Sequence, residues 1–309
     1  MAHYLVTGVA GFIGSMVAKR LLSDGHTVIG VDNLSTGFLE AVPAGVSFIE
    51  AGIHEKETMS QLESEKFDAI LHIAGQSGGE MSYEDPVYDL QANTQSTLLL
   101  LQLAKKINCT RVLYASTVSV YGEQENPEKI SEDAPTFPKS FYGVGKLASE
   151  HYLRLYADQF NIESAALRLF NVYGPGQNLK NFKQGIASIY LAQALKNHHI
   201  HIKGSPDRFR DMVYIDDVVD AFCVLLKSPL KGSAIYNVST AIKTTVGQLV
   251  SSIENALPFE TTREFSGSTP GDVFGNTGCS KKLTADTGWK AKIDLNTGID
   301  NMVKWALEQ

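Results

Sequence analysis

A glycine-spaced turn near the start of the chain constrains the fold more than any other feature. His3 to Thr7 is a short apolar run, and Gly8, Gly11 and Gly14 follow it. A helical pattern then continues to about Leu22. A strand, a glycine turn and a helix in this order let the backbone approach a pyrophosphate closely, while free amide groups at the helix start attract its negative charge. The pattern predicts the first unit of a dinucleotide-binding fold.

An acidic residue ends the second apolar run. Thr27 to Val31 forms the run, and Asp32 follows it. A carboxylate roughly 20 residues after the glycine turn is placed to hydrogen-bond the ribose hydroxyls of adenosine. The same carboxylate repels a 2′-phosphate, and no Arg or Lys occurs from Val28 to Ala41 to attract one. The sequence therefore predicts NAD as the cofactor in preference to NADP.

Three further apolar runs continue this alternation. We interpret each as a buried strand preceded by a helical segment, and parallel strands joined by helices form a doubly wound sheet. The predicted fold class is α/β, a Rossmann-like doubly wound parallel sheet with a smaller mixed α/β substrate-binding lobe. Ligands bind at the carboxyl ends of such strands. The three runs are Val46 to Glu50, Ala69 to Ile73 and Arg111 to Ser116.

The rest of the chain predicts two long helices and a second lobe. Apolar stripes indicate helices in Pro86 to Lys106 and Pro138 to Phe160, and Ile162 to Phe170 indicates a strand. We expect the chain to leave the first lobe in the turn-rich stretch from Asn171 to Gly176. The predicted domains are residues 1–172, with 212–240 returning to them, and residues 173–309. Later helices are expected near Phe182 to Leu195, Asp216 to Leu226, Val246 to Ala256 and Leu295 to Trp305.

Charge and cysteine content narrow the choice of partner. A net charge of −7 argues against nucleic acid or an anionic membrane surface as the main partner. The three cysteines, Cys109, Cys223 and Cys279, are well separated and lack the spacing of zinc ligands, so neither disulfides nor a metal site is expected. The sequence shows no signal-peptide pattern and no apolar run of membrane-spanning length. We expect a protein of the reducing cytoplasm.

A tyrosine and a lysine four residues apart carry the chemical prediction. Tyr142 and Lys146 project from the same face of a helix if that segment is helical. A nearby ammonium favours the phenolate, so Lys146 is expected to lower the pKa of Tyr142 and make it a usable general base. The pattern alone is weak, because about one chance match is expected in a chain with this many tyrosines and lysines.

Several motifs together resemble a known family. They comprise the glycine turn, Asp32 to Gly37, Ser116-Thr117, Tyr142-x-x-x-Lys146, Leu167 to Gly174, and Arg210-Asp211 before Asp216-Asp217-Val218. Their combination resembles the extended short-chain dehydrogenase/reductases over nearly the whole chain. The nearest branch is similar to the nucleotide-sugar epimerases of the UDP-glucose 4-epimerase type.

The resemblance implies a mechanism for Thr117, Tyr142 and Lys146. Tyr142 would take the proton of the sugar C4 hydroxyl while C4 loses a hydride to the nicotinamide, and Thr117 would hydrogen-bond the same oxygen. Lys146 would hold the nicotinamide ribose. The resulting 4-keto sugar would turn over and regain the hydride on its other face, with NAD remaining bound. The family's quaternary structure and the two amphipathic helices, with Leu98, Leu101, Leu147 and Leu155 in their stripes, suggest a homodimer.

The resemblance also implies binding residues. A nucleotide-diphosphate sugar would be held by Asn171, Arg210 and Asp272, and we expect Gln76 to touch its sugar. Asn276 occupies a position that often limits sugar size in relatives, where its small side chain leaves room for an enlarged sugar. The residues implied for NAD are Gly8, Gly11, Phe12, Ile13, Gly14, Asp32, Asn33, Ile53, Ala74, Gly75 and Asn93, with Tyr142 and Lys146.

Two stretches depart from the family pattern. Relatives often carry an aspartate that contacts adenine where this chain has Ala51-Gly52-Ile53-His54, so another group must serve there. Relatives also carry an arginine on a phosphate where this chain has Thr269 to Asp272, so uridine diphosphate should not be assumed. Val118 and Ser119 replace the acidic pair of the related 4,6-dehydratases, which disfavours dehydration.

Two alternatives to an epimerase remain. Thr117, Tyr142 and Lys146 serve a sugar-nucleotide dehydrogenase or a ketosugar reductase equally well, and the sequence does not separate these from an epimerase. A non-catalytic dinucleotide sensor is disfavoured, since such proteins usually lose the tyrosine or the lysine. His198, His199 and His201 are interpreted as solvated loop residues, so no metal site is predicted.

Overall fold

Parallel strands buried on both faces form the centre of the protein. We describe it from a computed structural model that covers residues 1–182, 185–267 and 273–309. Runs of apolar residues form these strands because helices cover both faces of the sheet. The strands of the central sheet and of the rest of the described chain are, in chain order, β1 (His3–Thr7), β2 (Thr27–Asp32), β3 (Ser47–Glu50), β4 (Ala69–His72), β5 (Arg111–Thr117), β6 (Glu163–Leu169), β7 (Asn171–Tyr173), β8 (His199–Lys203), β9 (Phe209–Arg210), β10 (Met212–Tyr214), β11 (Ser233–Val238), β12 (Thr244–Thr245) and β13 (Thr262–Ser266).

The order of the central strands sets the position of the site. Seven strands pair in the order β3-β2-β1-β4-β5-β6-β11, and all of these pairs are parallel. The strand order reverses between β1 and β4, where Thr7 lies opposite Val31 on one side and His72 on the other. A crevice opens at such a reversal, outside the carboxyl ends of the strands. The predicted fold class is confirmed.

Helices cover the two faces of this sheet. Side chains alternate along β1, so Tyr4 and Val6 enter the core cluster that contains α1 and α8, whereas Leu5 enters the cluster that contains α5. The helices are α1 (Phe12–Ser23), α2 (Lys56–Leu62), α3 (Gly79–Glu84), α4 (Pro86–Leu90), α5 (Ser96–Lys106), α6 (Phe141–Phe160), α7 (Ile186–Asn197), α8 (Ile215–Lys227), α9 (Val246–Ala256), α10 (Lys281–Thr287) and α11 (Leu295–Leu307).

A second region surrounds three small pairs of strands. β7 pairs with β10 and β8 pairs with β13, both in parallel, while β9 pairs with β12 antiparallel. Helices α7, α9 and α11 pack together in this region. Strand β11 joins the edge of the central sheet beside β6. Within the described part of the chain, no helix is both long and apolar enough to cross a membrane.

The segment before β3 differs from the expectation. A helix was predicted there, but the described segment contains only a single 3₁₀ turn at Leu39–Ala41. The segment instead covers the glycine turn: the backbone N–H of Phe38 donates to the carbonyl of Ala10, and a Cβ on Gly37 would lie 2.5 Å from that oxygen. The backbone at Gly37 thus packs against the glycine turn, where a side chain would not fit.

Other elements also differ in detail. The predicted helix over residues 86–106 is interrupted by a wide, π-type turn at Gln91–Gln95, and such turns recur at functional sites. The helix expected from Phe182 begins at Ile186, after Gly185 with its positive φ of 83°. Helices α3 and α10 were not predicted. His199 and His201 lie on β8 rather than in a loop.

Candidate active site

The glycine turn forms the floor of a cleft at the carboxyl edge of the sheet. Gly8 has a φ of 72°, a conformation that favours glycine, and its N–H donates to the carbonyl of Val31. A Cβ on Gly14 would lie 2.0 Å from the carbonyl oxygen of Gly8, so helix α1 can approach the turn only without a side chain there. The predicted cofactor residues that line this cleft are Gly8, Gly11, Phe12, Ile13, Gly14, Asp32, Asn33, Ile53, Ala74 and Gly75.

Asp32 is held in place by the backbone around it. Its Oδ2 accepts from the N–H of Ala10 at 3.0 Å, and its Oδ1 accepts from the N–H of Leu34 at 2.8 Å. Asn33 similarly caps its own loop by accepting from the N–H of Ser35 at 3.2 Å. The carboxylate is therefore fixed at the end of β2, in the position that suits a ribose diol.

Lys146 lies under the cleft, 3% exposed, on the face of α6 that meets the sheet. Its Nζ donates to the carbonyl of Ala115 at 3.0 Å and lies 4.8 Å from the centroid of the Tyr114 ring. Burial lowers the pKa of Lys146 to about 8, although the carboxylates of Asp89 and Glu150 act in the opposite direction. The carbonyl at the strand end thus holds the Lys146 ammonium in place. The pKa of this ammonium lies closer to neutral pH than that of an ordinary lysine.

The prediction that Lys146 lowers the pKa of Tyr142 is wrong for the protein without ligands. Burial raises the pKa of Tyr142 to about 12, an interaction with the Thr117 side chain opposes the rise, and the carboxylate of Asp89 adds to it. Lys146 Nζ lies 5.9 Å from the Tyr142 ring centroid and is bound to Ala115. At this separation the loss of solvation outweighs the favourable charge.

Thr117 ends β5 beside these residues. It is almost fully buried, and its Oγ1 accepts from the N–H of Ser119 at 3.1 Å. The strand end beneath it is anchored by a buried ion pair in which Arg168 binds Glu150 through Nε at 3.0 Å and through Nη2 at 2.7 Å. The Ser116 hydroxyl donates to the same carboxylate at 2.5 Å. Sequence reasoning did not find this ion pair.

Asn93 supports the case that the cleft fits a dinucleotide. Its side chain is fully buried, and its Oδ1 has no hydrogen-bond partner among the described residues. A Cβ on Gly75 would lie 2.4 Å from this oxygen and 3.1 Å from Lys146 Nζ, so both atoms face the open side of Gly75. A buried acceptor without a partner is costly unless a ligand donates to it. A ribose hydroxyl offers that donor, and the residues fit NAD.

Gln76 makes hydrogen bonds within its own loop. Its amide closes its own loop: Nε2 donates to the carbonyl of Gly78 at 2.9 Å, and Oε1 accepts from the N–H of Gly78 at 2.6 Å. The side chain therefore shapes the loop that follows β4. One N–H of Nε2 is used in this bond, and the predicted contact between Gln76 and a sugar stays a prediction.

The residues predicted for the nucleotide sugar come from the second region. Asn171 and Asn276 each bury an amide oxygen without a hydrogen-bond partner in the parts of the chain that the structure describes. Arg210 is 7% exposed, and its Nη1 donates to the carbonyl of Phe209 at 2.7 Å. Asp272 and the departure at Thr269 to Asp272 lie outside the described residues.

Two features of the site were missed by sequence reasoning. Gln177, from the loop after β7, lines the cofactor cleft and buries an Oε1 that lacks a partner among the described residues. Asp89 is 2% exposed beside Asn93, and burial raises its pKa to about 6. A signal for Asp89 exists in the sequence, since it stands four positions before Asn93 on a helical face.

The sheet order, the glycine turn and the group of Thr117, Tyr142 and Lys146 define an extended short-chain dehydrogenase/reductase. The sequence profile of the NAD dependent epimerase/dehydratase family matches residues 4–239. The chain belongs to this family, and NAD is its cofactor. The resemblance inferred from the motifs is confirmed.

Individual relatives are similar over nearly their whole length. A UDP-glucose 4-epimerase of Mycolicibacterium smegmatis is 33% identical over 307 residues, which cover 97% of each chain. The structure of a Thermotoga maritima UDP-glucose 4-epimerase with UDP-glucose superposes with a TM-score of 0.95 at 30% identity, over 99% of each chain. A Thermus thermophilus UDP-glucose 4-epimerase in complex with NAD gives a TM-score of 0.91 at 33% identity, over 98% of each chain.

Proposed function

We propose that the protein is an NAD-dependent epimerase that inverts C4 of a nucleotide-diphosphate sugar through a transient 4-keto sugar. The observation that carries the proposal is the convergence at one strand edge of a hydroxyl, a phenol and an ammonium, from Thr117, Tyr142 and Lys146, beside a buried unpaired acceptor on Asn93. Such a group suits reversible oxidation of an alcohol.

The side chains divide the reaction between them. Tyr142 takes the proton from the C4 hydroxyl as the phenolate, and Thr117 hydrogen-bonds the same oxygen. Because burial raises the pKa of Tyr142 in the protein alone, the phenolate would need the positive charges of Lys146 and of bound NAD beside it. Lys146 and Asn93 hold the ribose next to Gly75. NAD, when bound, supplies the acceptor and later the donor of the C4 hydride. Tyr142 returns its proton when C4 is reduced on the opposite face, so the sugar is neither oxidised nor reduced overall.

The second region supplies the substrate contacts in this proposal. Asn171 and Arg210 bind the nucleotide diphosphate, together with Asp272, and the guanidinium suits a phosphate because its charge is permanent and its donors are fixed in a fork. Asn276 leaves room beside the sugar. The same proposal divides the chain into an NAD-binding domain (1–172 with 212–240), which ends just after Asn171, and a sugar-nucleotide domain (173–309), which contains Arg210 and Asp272.

We also propose that two copies of the chain pair through α4 and α6, which pack against each other. Exposed apolar side chains continue across both helices, namely Val87 and Leu90 on α4 and Val144 and Leu155 on α6. Leu101, which was expected on this seam, is instead fully buried in the core. Light scattering at micromolar concentration should give a dimer. Val144→Glu should give a monomer, whereas Ile242→Glu, at an exposed loop position away from α4 and α6, should not.

The free thiols fit a reducing compartment. Cys109, Cys223 and Cys279 are unpaired in the structure. Two of them are buried, and intracellular thiols of this kind stay reduced. We propose the cytoplasm as the site of action.

The function is tested by adding sugars to protein purified without cofactor. The protein is incubated with UDP-, GDP-, CDP- and dTDP-hexoses, and the products are followed by NMR. A C4 epimer that forms without added NAD supports the epimerase and names the substrate. Conversion that requires stoichiometric NAD or NADH would replace this proposal with a sugar-nucleotide dehydrogenase or a ketosugar reductase.

A further inference from the structure

A buried carboxylate interacts electrostatically with Lys146 and has no part in the mechanism above. Asp89 stands in the last turn of α4, 2% exposed. The wide turn at Gln91–Gln95 follows it and brings Asn93 onto the same side, so that Asp89 Oδ1 accepts from Asn93 Nδ2 at 3.0 Å. Burying a carboxylate is costly, so its presence beside a reaction centre calls for a role.

Asp89 and the carbonyl of Gln76 together decide which atom of the Asn93 amide faces the cleft. Asn93 Nδ2 donates to two acceptors, the carbonyl of Gln76 and the carboxylate of Asp89, each at 3.0 Å. An amide nitrogen can satisfy both acceptors, whereas the amide oxygen can satisfy neither. The oxygen must therefore point the other way, towards Gly75, where it stands 2.4 Å from the position of an added Cβ.

Helix α6 is brought close to Asp89 by Gly145. A Cβ on Gly145 would lie 3.5 Å from Asp89 Oδ2 and 3.3 Å from the Cβ of Asn93. A side chain at position 145 would make tight contacts here, so glycine lets α6, which carries Lys146, lie close to α4. Asp89 and Asn93 thus pack against the turn of α6 that precedes Lys146.

The charges around Lys146 identify its counter-charge. Arg168 neutralises Glu150 through two short bonds. His72 is uncharged, because burial and Lys146 lower its pKa to about 3, and burial raises the pKa of Tyr114 and Tyr142. Among the described groups, Asp89 is then the carboxylate left to balance Lys146. The titratable groups that face Lys146 are Asp89 from α4, Glu150 and Tyr142 from α6, His72 from β4 and Tyr114 from β5.

We propose that Asp89 is a positioning residue of this site: it fixes the rotation of the Asn93 amide and supplies the counter-charge of Lys146, so that an acceptor and a charged donor face the cofactor ribose together at Gly75. The proposal rests on the cofactor-binding part of the proposed function. It does not depend on which sugar is turned over.

Three variants separate the two roles. Asp89→Asn keeps the shape and an acceptor oxygen for Asn93 but removes the charge. Asp89→Leu removes the acceptor oxygen and the charge. Asp85→Asn makes the same charge change at the exposed N-cap of the same helix, where Asp85 accepts from the N–H of Tyr88, and asparagine caps a helix as well as aspartate does. Each protein is freed of cofactor, checked by thermal unfolding, and titrated with NAD by calorimetry from about pH 6 to about pH 10.

The direction of the pH effect follows from the charge. Lys146 binds the ribose better when charged, so wild-type affinity for NAD should fall as pH rises through the pKa of Lys146, about 8. The carboxylate of Asp89 raises that pKa, so in Asp89→Asn the fall should occur about one pH unit lower. Asp89→Leu should show the same shift and in addition bind NAD about tenfold more weakly at every pH, because the Asn93 amide loses a charged acceptor.

Several outcomes would overturn the proposal. The first is an NAD affinity of Asp89→Asn that falls at the same pH as that of the wild type. The second is a wild-type NAD affinity that does not change over this pH range. The third is a shift of the fall in Asp85→Asn as large as that in Asp89→Asn. A structural role alone would lower the melting temperature and leave the pH of the fall unchanged. If Asp89→Leu does not fold, Asp89→Asn still decides the charge. Because NAD affinity needs no turnover, failure to find a sugar substrate would count against the epimerase and leave this result standing.

Discussion

The cofactor cleft and the proposed substrate side are supported in different ways. In the cleft, the carboxylate of Asp32 accepts from two backbone amides and Lys146 is bound to a strand-end carbonyl. On the substrate side, Asn171 and Asn276 bury amide oxygens that find no partner within the described residues. The cleft leaves two such oxygens of its own, on Asn93 and Gln177, so both sides present acceptors for a ligand to satisfy. The difference is that the cleft also holds a carboxylate and an ammonium in place through backbone groups before any ligand binds. We therefore expect NAD to bind without a sugar, and changes on one side to spare the other.

The largest effect should come from the chemical centre between the two sides. Tyr142→Phe removes the proton acceptor and should lower the turnover of a nucleotide sugar by about a thousandfold or more, while NAD still binds. Turnover is measured by NMR and NAD binding by calorimetry. Tyr156→Phe, a half-buried tyrosine further along the same helix, should keep the wild-type rate. A Tyr142→Phe protein with wild-type turnover would remove Tyr142 from the mechanism.

A substitution in the glycine turn should damage the cofactor side as a whole. Gly14→Ala forces a Cβ against the carbonyl of Gly8, which should lower the free energy of unfolding by about 1 to 3 kcal/mol and abolish tight NAD binding. Urea unfolding and calorimetry measure the two effects. Gly247→Ala is the control, because the nearest atom to its added Cβ lies 3.5 Å away. Undiminished NAD affinity in Gly14→Ala would show that the turn does not carry the pyrophosphate.

A change on the substrate side should spare NAD. Arg210→Gln removes the guanidinium that we propose binds the phosphates, and it should raise the KM for the nucleotide sugar about tenfold or more, with NAD affinity unchanged. Steady-state kinetics gives the KM. Arg208→Gln, two positions earlier, should leave the KM near the wild-type value. If Arg210→Gln weakened NAD and sugar equally, the two sides would not be independent.

Acid should destabilise the sheet under the cofactor cleft more than the second region. Burial lowers the pKa of His72 to about 3 in the folded protein, so the unfolded chain binds a proton that the folded one refuses. Stability should be complete above about pH 6.5 and fall by at most about 1.4 kcal/mol per pH unit below it. Urea unfolding at several pH values should show this loss, reduced in His72→Asn after allowance for its lower starting stability. His199→Asn, at a half-buried position of β8 in the second region, should leave the slope unchanged. Equal slopes in all three proteins would refute the assignment.

Local patterns predicted much of the fold and the cofactor side. The turn at Gly8 to Gly14, the carboxylate of Asp32 and the buried strands are each encoded within a few residues, so their periodicity and spacing are visible in the sequence. Errors occurred where packing overrode the local pattern. The segment around Gly37 packs over the glycine turn instead of forming a helix, and the stripe residue Leu101 faces the core rather than a partner.

The sequence by itself determined the class of fold, the preference for NAD and the family to which the chain belongs, because these depend on residue types at fixed short spacings. Only the tertiary structure decided the ionisation of Tyr142 and Lys146, the direction of the Asn93 amide and the presence of Asp89 beside them. Ionisation and amide orientation depend on burial and on charges that α4, α6 and β5 bring together from distant parts of the chain. No short sequence pattern contains that information.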